Sequence, residues 1–369
     1  MNRFIKIKRT KDKMTVTHKI RLADVAREAG VSSSLASMVI NKSNGKNMRV
    51  GEETAARIVA AAKKLNYSPN AAAKSLATSR SRCIGYIMSD SFVNPWKNEY
   101  YTAYLNGAAR ACQQYGYGMM LGCCNLQNAV DFAIPEKIKQ RSVDALIVIG
   151  GIAPDLWEIY NRYEFPTVLL DYMPESETPP YAYIVNERWE YAAIDYALEC
   201  GHRNIGICLN AYSRNYELIY KNLRSRCDVI KKQYGGNISI YRPPDNYPSW
   251  EPEHGDALYN MWVSTHHQEK TSFIIGGHCM IGYLKNVFFP RGVSVPEQLS
   301  VVVGPDSVIC PYFSPPLTAF DHDRDAQGAI AVKMLIDHLD RGIALTRHHP
   351  MPEARLKLIE RQSVKKIPI

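Results

Sequence analysis

The sequence predicts an α/β protein in two parts: a three-helix head carrying a short hinge helix, and a larger, two-lobed, doubly wound body. Three observations carry this. The excess positive charge is confined to the first fifth of the chain. Two short amphipathic helices meet there at a tight glycine turn. Short apolar runs then alternate with helical patterns in two successive sets. At 369 residues the chain exceeds what one compact domain usually holds. With 46% hydrophobic and 22% charged residues it has the make-up of a soluble globular protein. No stretch approaches the roughly 18 apolar residues of a membrane-spanning helix. The basic stretch 1–19 lacks the apolar centre of a secretory signal, so a cytoplasmic, nucleoid-associated protein is expected. Met14 offers an alternative translation start that would remove most of this extension. Nine scattered cysteines, odd in number and never spaced Cys-x-x-Cys, argue for buried thiols rather than disulfides or a zinc cage.

Charge divides the chain sharply. Residues 1–82 hold 18 lysines and arginines against 5 acidic residues, a balance of +13, while the whole chain carries +9. The remainder is therefore slightly acidic, and the head is a polyanion-binding candidate on a neutral body. A solvated basic tail accounts for part of the excess, since 6 of those positive residues lie in the first 13 positions. It does not account for Arg21 to Arg82.

Each head element follows from local pattern. Leu22, Val25, Ala26 and Ala29 fall on one helical face, and Gly30 stands where such a helix stops. Ser32 restarts the chain as a cap, and Ala36, Val39 and Ile40 form the apolar face of a second helix ending near Asn41. This is the helix-turn-helix pattern. A third helix starts after Gly51, with Glu52 and Glu53 at its positive end and Ile58, Ala62 and Leu65 facing inward. Ser32, Ser33, Ser34, Ser37 and Met38 lie off the apolar face of the second helix, where short side chains can approach phosphates and base edges. Capping and solvation are the alternative role for any one serine. Residues 67–81 then read as a hinge helix of about two turns, capped by Ser68 with Pro69 first and rich in alanine, too short to persist alone. Leu76, its one large apolar side chain, is either a packing residue or a wedge for a DNA step.

The runs Ile20-Arg21-Leu22-Ala23-Asp24-Val25-Ala26, Ala29-Gly30-Val31-Ser32, Val39-Ile40-Asn41 and Leu65-Asn66-Tyr67-Ser68-Pro69-Asn70, with Leu76-Ala77 after them, resemble the lactose/galactose-repressor (LacI/GalR) family of bacterial transcription regulators. The resemblance implies a homodimer on a pseudo-palindromic double-stranded operator, the second helices in successive major grooves and paired hinge helices in the minor groove. It places Leu35, Ser37, Met38 and Asn41 at recognition positions, Asn70 and Ala73 on the hinge, and Leu76 in the central base step. Met38 replaces an arginine found in many members, and an insertion, Lys42 to Arg49, adds candidate phosphate contacts. The head thus spans 20–66, the hinge 67–81 and the effector-binding, dimerising body 82–369.

In the body, 84–88, 118–122, 145–149 and 167–170 read as buried parallel strands, with a helix over 100–115 between the first two. A second set follows at 183–185, 205–209, 238–241, 273–275 and 301–303. Two such halves imply a cleft at the carboxyl ends of the strands. The resemblance continues through Asn94-Pro95-Trp96, Asp171-Tyr172, Gly201-His202-Arg203-Asn204-Ile205, 295–301 and 314–318. It implies the fold of periplasmic sugar-binding proteins, with the chain crossing between lobes near 180, 310 and 340. It puts Trp96, Tyr172, Arg214, Tyr247 and His278 in an effector cleft, with Asp306 on a neighbouring loop, for a small carbohydrate-derived ligand. Most members have an aspartate at the position of His278; imidazole accepts one hydrogen bond, or becomes a cation below its ordinary pKa near 6.5. Lys97 stands in place of a usual aromatic. Lys221, Arg224 and Arg226 compete with Arg214 for its role. No leucine heptads follow the last matching segment, so a dimer is expected rather than a coiled-coil tetramer.

Other chemistry finds little support. The pairs His266-His267 and His348-His349 cannot share a face. The run 321–325, Asp-His-Asp-Arg-Asp, contains metal-capable residues but follows Thr318-Ala319-Phe320, which the resemblance puts at the start of an ordinary helix. Neither a nucleophile elbow nor a phosphate loop is present. No catalytic residue, metal or cofactor is expected. A solute-binding protein and a sugar-active α/β enzyme are the competing classes; the first lacks a signal peptide, the second a catalytic signature.

Overall fold

The computed structural model describes residues 20–40, 50–90, 95–150, 152–171, 182–184, 189–208, 216–241, 252–265, 272–345, 348–349 and 356–368. The chain forms two compact units, 1–81 and 82–369. In the first, α1 (Leu22–Ala29), α2 (Ser33–Ile40) and α3 (Glu52–Lys64) close a small core of Val25, Ala26, Ala29, Ala36, Ile58 and Ala61. Gly30 ends α1 at φ 63°, a left-handed conformation that glycine adopts without strain and that turns the chain into α2. The Ser32 hydroxyl accepts from the amide of Leu35 at 3.2 Å and so caps α2. Lys64 pairs with Glu28 at 2.6 Å, tying α3 to α1. The hinge helix α4 spans Ala71–Thr78. It begins two residues later than the sequence predicts: Ser68 and Pro69 stay outside it, and Asn70 takes the position before its first turn.

The body opens with β1 (Cys83–Ser89), α5 (Glu99–Tyr115), β2 (Gly118–Cys124), α6 (Glu136–Lys139), β3 (Ala145–Ile149), α7 (Trp157–Asn161), β4 (Thr167–Leu170) and β5 (Ala182–Ile184). It continues with α8 (Trp189–Glu199), β6 (Asn204–Cys208), α9 (Tyr216–Tyr234), β7 (Asn237–Tyr241), α10 (Pro252–Thr265), β8 (Ser272–Gly276), α11 (Cys279–Tyr283), β9 (Leu299–Val303) and β10 (Thr318–Asp321). Last come α12 (Arg324–Arg341), β11 (His348–His349) and β12 (Lys357–Ile359). One sheet runs β11-β5-β4-β3-β1-β2, the other β12-β10-β9-β8-β6-β7. All pairings are parallel except β10 with β12. Their strands are near-continuous apolar runs because helices cover both faces. In each sheet the winding reverses beside the first strand of its set, between β1 and β3 and between β6 and β8.

Thr318–Phe320, expected at the start of a helix, is strand β10, and helix α12 starts only at Arg324. The lobe crossings shift accordingly. They lie between Ile184 and Trp189, between Asp321 and Arg324, and between His349 and Lys357. The later two are displaced from 310 and 340 because β10 still belongs to the second sheet, while α12 packs Ala331, Val332, Leu335 and Ile336 into the first lobe's core.

Candidate functional site

The head presents a polar face on α2. Ser33 and Ser34 are exposed, Ser37 and Met38 half-buried, and at spacings of four these residues form one surface. Ser32 is exposed, but its hydroxyl serves the cap and also bonds Ser34 at 3.0 Å. Leu35, expected at a recognition position, is half-buried against the head's own core. Asn41 and the insertion 42–49 lie outside the described residues. On α4, Asn70 and Ala73 are exposed, and Leu76 is 87% exposed. A leucine that open makes little packing contribution within this chain.

The body's candidate site lies where both sheets reverse winding, at the carboxyl ends of β1 and β3 on one side and of β6 and β8 on the other. Trp96, 37% exposed, stands beyond β1 with its ring centroid 6.4 Å from that of Tyr86. The Tyr100 hydroxyl donates to Asp171 at 2.6 Å; Asp171 ends β4 at φ 51°, and burial with this carboxylate holds the phenol protonated. On the other side His278 follows β8 after Gly277, half-buried, its Nε2 2.6 Å from the carbonyl oxygen of Pro305. That contact requires Nε2 to carry the proton, so in the neutral ring Nδ1 is the acceptor. Burial pushes His278 below its ordinary 6.5; the Pro305 carbonyl opposes, Arg324 adds to the depression, and Glu99 and Asp306 oppose it.

Asp306, expected beside the ligand, has both carboxylate oxygens taken by Arg361, each at 2.8 Å, in a pair only 17% and 14% exposed. Its placement makes it a brace for the loop that carries Pro305. Arg324 then bridges the lobes, donating to the Asp306 carbonyl at 2.9 Å and to the Tyr100 carbonyl at 3.3 Å, with its guanidinium 4.9 Å from the Tyr100 ring centre. Glu99 adds a second tie, accepting from the Val308 amide at 2.9 Å. Tyr172, Arg214 and Tyr247 lie outside the described residues. Of the competitors for Arg214, Arg226 grips Asp195 at 2.7 and 2.8 Å, while Lys221 and Arg224 sit exposed on α9.

Sequence reasoning missed Arg361, Glu99 and Tyr100 as parts of this site. Arg361 meets Asp306 across 55 residues of chain, a pairing no local pattern announces. Arg324 did stand in the acidic run singled out for its metal-capable residues. There Asp323 instead caps α12 through the Ala326 amide, and among the described residues no group of three or more metal-capable side chains converges. No described helix is long and apolar enough to cross a membrane.

Comparison with known proteins places this geometry among relatives. Residues 21–70 match the profile of bacterial regulatory proteins, lacI family, and residues 194–364 that of a periplasmic binding protein-like domain. The chain is 31% identical over 349 residues to the HTH-type transcriptional repressor PurR of Serratia proteamaculans (strain 568), covering 93% of this chain and 96% of that one. In fold it is similar to the Lac repressor dimer bound to operator and the anti-inducer ONPF, at TM-score 0.68 and 19% identity, covering 94% of this chain and 100% of that one. It is likewise similar to the transcriptional regulator CelR in its cellobiose complex, at TM-score 0.59 and 18% identity over 93% of this chain and 99% of that one.

Proposed function

The chain belongs to the LacI family of bacterial regulatory proteins, a DNA-binding transcriptional repressor with a ligand-binding body, and from that premise we propose that it acts as a cytoplasmic homodimer whose hold on a pseudo-palindromic operator is set by a neutral, carbohydrate-derived effector in the interlobe cleft. The competing classes, solute-binding protein and sugar-active enzyme, give way because its relatives are repressors.

One observation carries the ligand class. His278 is held neutral with Nε2–H spent on Pro305, so what it offers a ligand is the acceptor Nδ1, suited to a hydroxyl donor. Of the charges described around it, the Asp306 carboxylate is neutralised by Arg361, which leaves that pair nothing to offer a charged ligand and favours an uncharged one. The cellobiose of the CelR complex is a ligand of this kind.

The response follows from the ties between lobes. Arg324 and Glu99 each bond across the cleft, so a ligand that changes the lobe angle must stretch or shorten those bonds. It shifts operator affinity only by binding the two arrangements differently, typically with about 1–3 kcal/mol of coupling. Residues 79–82 alone separate α4 from β1, so the first lobe's motion has a short path to the hinge helix.

Selection of bound fragments from a random DNA pool, followed by calorimetric titration of a panel of neutral sugars, sugar acids and nucleobases, tests the reading. A two-fold symmetric site whose affinity shifts only with a neutral sugar supports it. A response confined to sugar acids or nucleobases overturns the ligand class, and an asymmetric site overturns the dimer.

A further inference from the structure

Arg82 opens the body unit with a φ of 50°, a left-handed backbone that a residue with a side chain adopts only under constraint. The constraint lies on both sides of it. Its amide donates to the Asp144 carboxylate at 2.8 Å, and its carbonyl accepts from the Gly118 amide at 2.8 Å. Its guanidinium turns to the end of α5, donating to the Tyr115 carbonyl at 3.2 Å and, more weakly, to the Gly116 carbonyl at 3.5 Å. It also lies 4.5 Å from the centre of the Tyr117 ring. The Tyr117 hydroxyl donates in turn to Asp340, the penultimate residue of α12, at 2.9 Å. Arg82 is thus joined to the carboxyl ends of both α5 and α12.

The amino ends of the same two helices carry the ties between the lobes. Glu99, the first residue of α5, accepts from the Val308 amide, and Arg324, the first of α12, donates to the Asp306 carbonyl. Between these ends the helices run side by side in the same direction. Arg324 meets Tyr100, Gly328 meets Tyr104, and Asp340 meets Tyr117. A Cβ at Gly107 or Gly328 would fall on the backbone of the other helix, so the pair is packed in a fixed register. With 17 residues at about 1.5 Å each, α5 spans about 25 Å.

On the reading that the body controls DNA binding, we propose that Arg82 is the positioning residue through which the cleft addresses the hinge helix. The pair α5 and α12 acts as one yoke, tied to the second lobe at its amino ends and clamped to the start of β1 at its carboxyl ends.

A change in lobe angle pulls first on Glu99 and Arg324. Tight packing passes the displacement along the yoke to Tyr115, Gly116 and Tyr117. Arg82 follows because its amide, its carbonyl and its guanidinium are all held. Residues 79–81 then separate the clamp from Thr78, the last residue of α4. A linker of three residues leaving a fixed point hands on a shift of about an ångström, whereas one leaving a loose residue absorbs it in its own φ and ψ.

The test has two arms built on Arg82→Gly, which removes the guanidinium while keeping the turn at no steric cost. The first arm needs no DNA. Hydrogen exchange at the amides of residues 82 and 118 should quicken by about ten-fold or more, with protection in β3 and β4 unchanged. Wild-type protection at both amides overturns the clamp, and so does a loss of protection throughout the lobe. The second arm measures affinity for the selected operator in a double-mutant cycle with Glu99→Ala, which cuts the tie to Val308. Glu99→Ala should shift that affinity by about five-fold or more in the otherwise wild-type chain, the lower end of ordinary allosteric coupling, and by less than about two-fold beside Arg82→Gly. A merely structural Arg82 would change operator binding by a constant factor and leave the Glu99→Ala shift as it was. Equal shifts in both backgrounds therefore overturn the coupling, as does the lack of any shift in either. A wild-type chain that selects no DNA at all fails the DNA-binding reading instead, and the exchange arm still decides the clamp.

Discussion

His278 shows what a single residue decides. With Nε2–H held by Pro305, replacing the ring by alanine removes the Nδ1 acceptor from the ligand and leaves the distant head intact. His278→Ala is therefore expected to keep operator binding and to lose about ten-fold or more in ligand affinity, the scale of one hydrogen bond whose partner is left buried. His278→Asp should restore binding with a preference for polyhydroxylated sugars. Titration calorimetry of the three proteins checks both outcomes; equal affinity for one ligand in all three would put His278 outside the site. The pH dependence has a definite sign. The unfolded chain protonates this histidine near 6.5, the folded chain only at lower pH because burial depresses it. His202, buried with Nε2 on the Lys365 carbonyl, behaves alike. Their contribution to stability is thus full above about pH 6.5 and is lost as pH falls through the folded values. Thermal melts from pH 8 to 5 should show that decline, steeper than in His202→Gln. At this scale the sequence was half legible. A motif match picks out His278, but Arg361 and its brace on Asp306 depend on a tail that returns across 55 residues.

Secondary elements were the most legible level, because a strand covered on both faces must be an unbroken apolar run and a one-faced helix must repeat every three to four residues. β1 to β9 and α1 to α3 follow that logic. The short β10 to β12 escaped it: Thr318-Ala319-Phe320 is too brief to show a period, and β11 and β12 exist only through partners far along the chain. The close pairing of α5 with α12 was also invisible. A Cβ at Gly107 would fall on the Asp325 carbonyl, and one at Gly328 on the Tyr104 carbonyl, so the two backbones touch at these positions. Gly107→Ala, which would raise helix propensity on an isolated helix, is instead expected to destabilise the body by about 2–3 kcal/mol, as overpacking does. Urea unfolding measures this; a neutral or stabilising result would mean that the helices part without cost. Leu76 on α4 gives the opposite expectation. Being 87% exposed, its change to alanine should leave the urea midpoint unmoved while weakening specific operator binding by a few kcal/mol and sparing non-specific binding. Equal losses on both kinds of DNA would reduce Leu76 to a general contact.

Over the whole molecule, charge and fold divide at one place. The first 82 residues hold a balance of +13 in a chain that totals +9, and the structure separates into compact units at 81 and 82. A unit that is basic while its neighbour is slightly acidic can hold a polyanion through one part and leave the other free to bind an uncharged ligand. Attraction to phosphate works by releasing condensed counterions, so the logarithm of affinity should fall with the logarithm of salt at about 0.9 per phosphate neutralised. The full chain is therefore expected to bind DNA with a steep salt dependence, and the fragment 82–369 to bind none at any salt while retaining the ligand. Fluorescence anisotropy on labelled operator, run for both proteins from 50 to 300 mM salt, separates the contributions. Should the fragment alone hold DNA tightly, the head would be an accessory. Should the full chain bind with no salt dependence, contacts to phosphate would not be what holds it there. The same comparison isolates the effector, because a ligand that the fragment binds as tightly as the full chain makes its contacts in the body alone. Residues 79–82, which join α4 to β1, give its effect on DNA a covalent route of four residues.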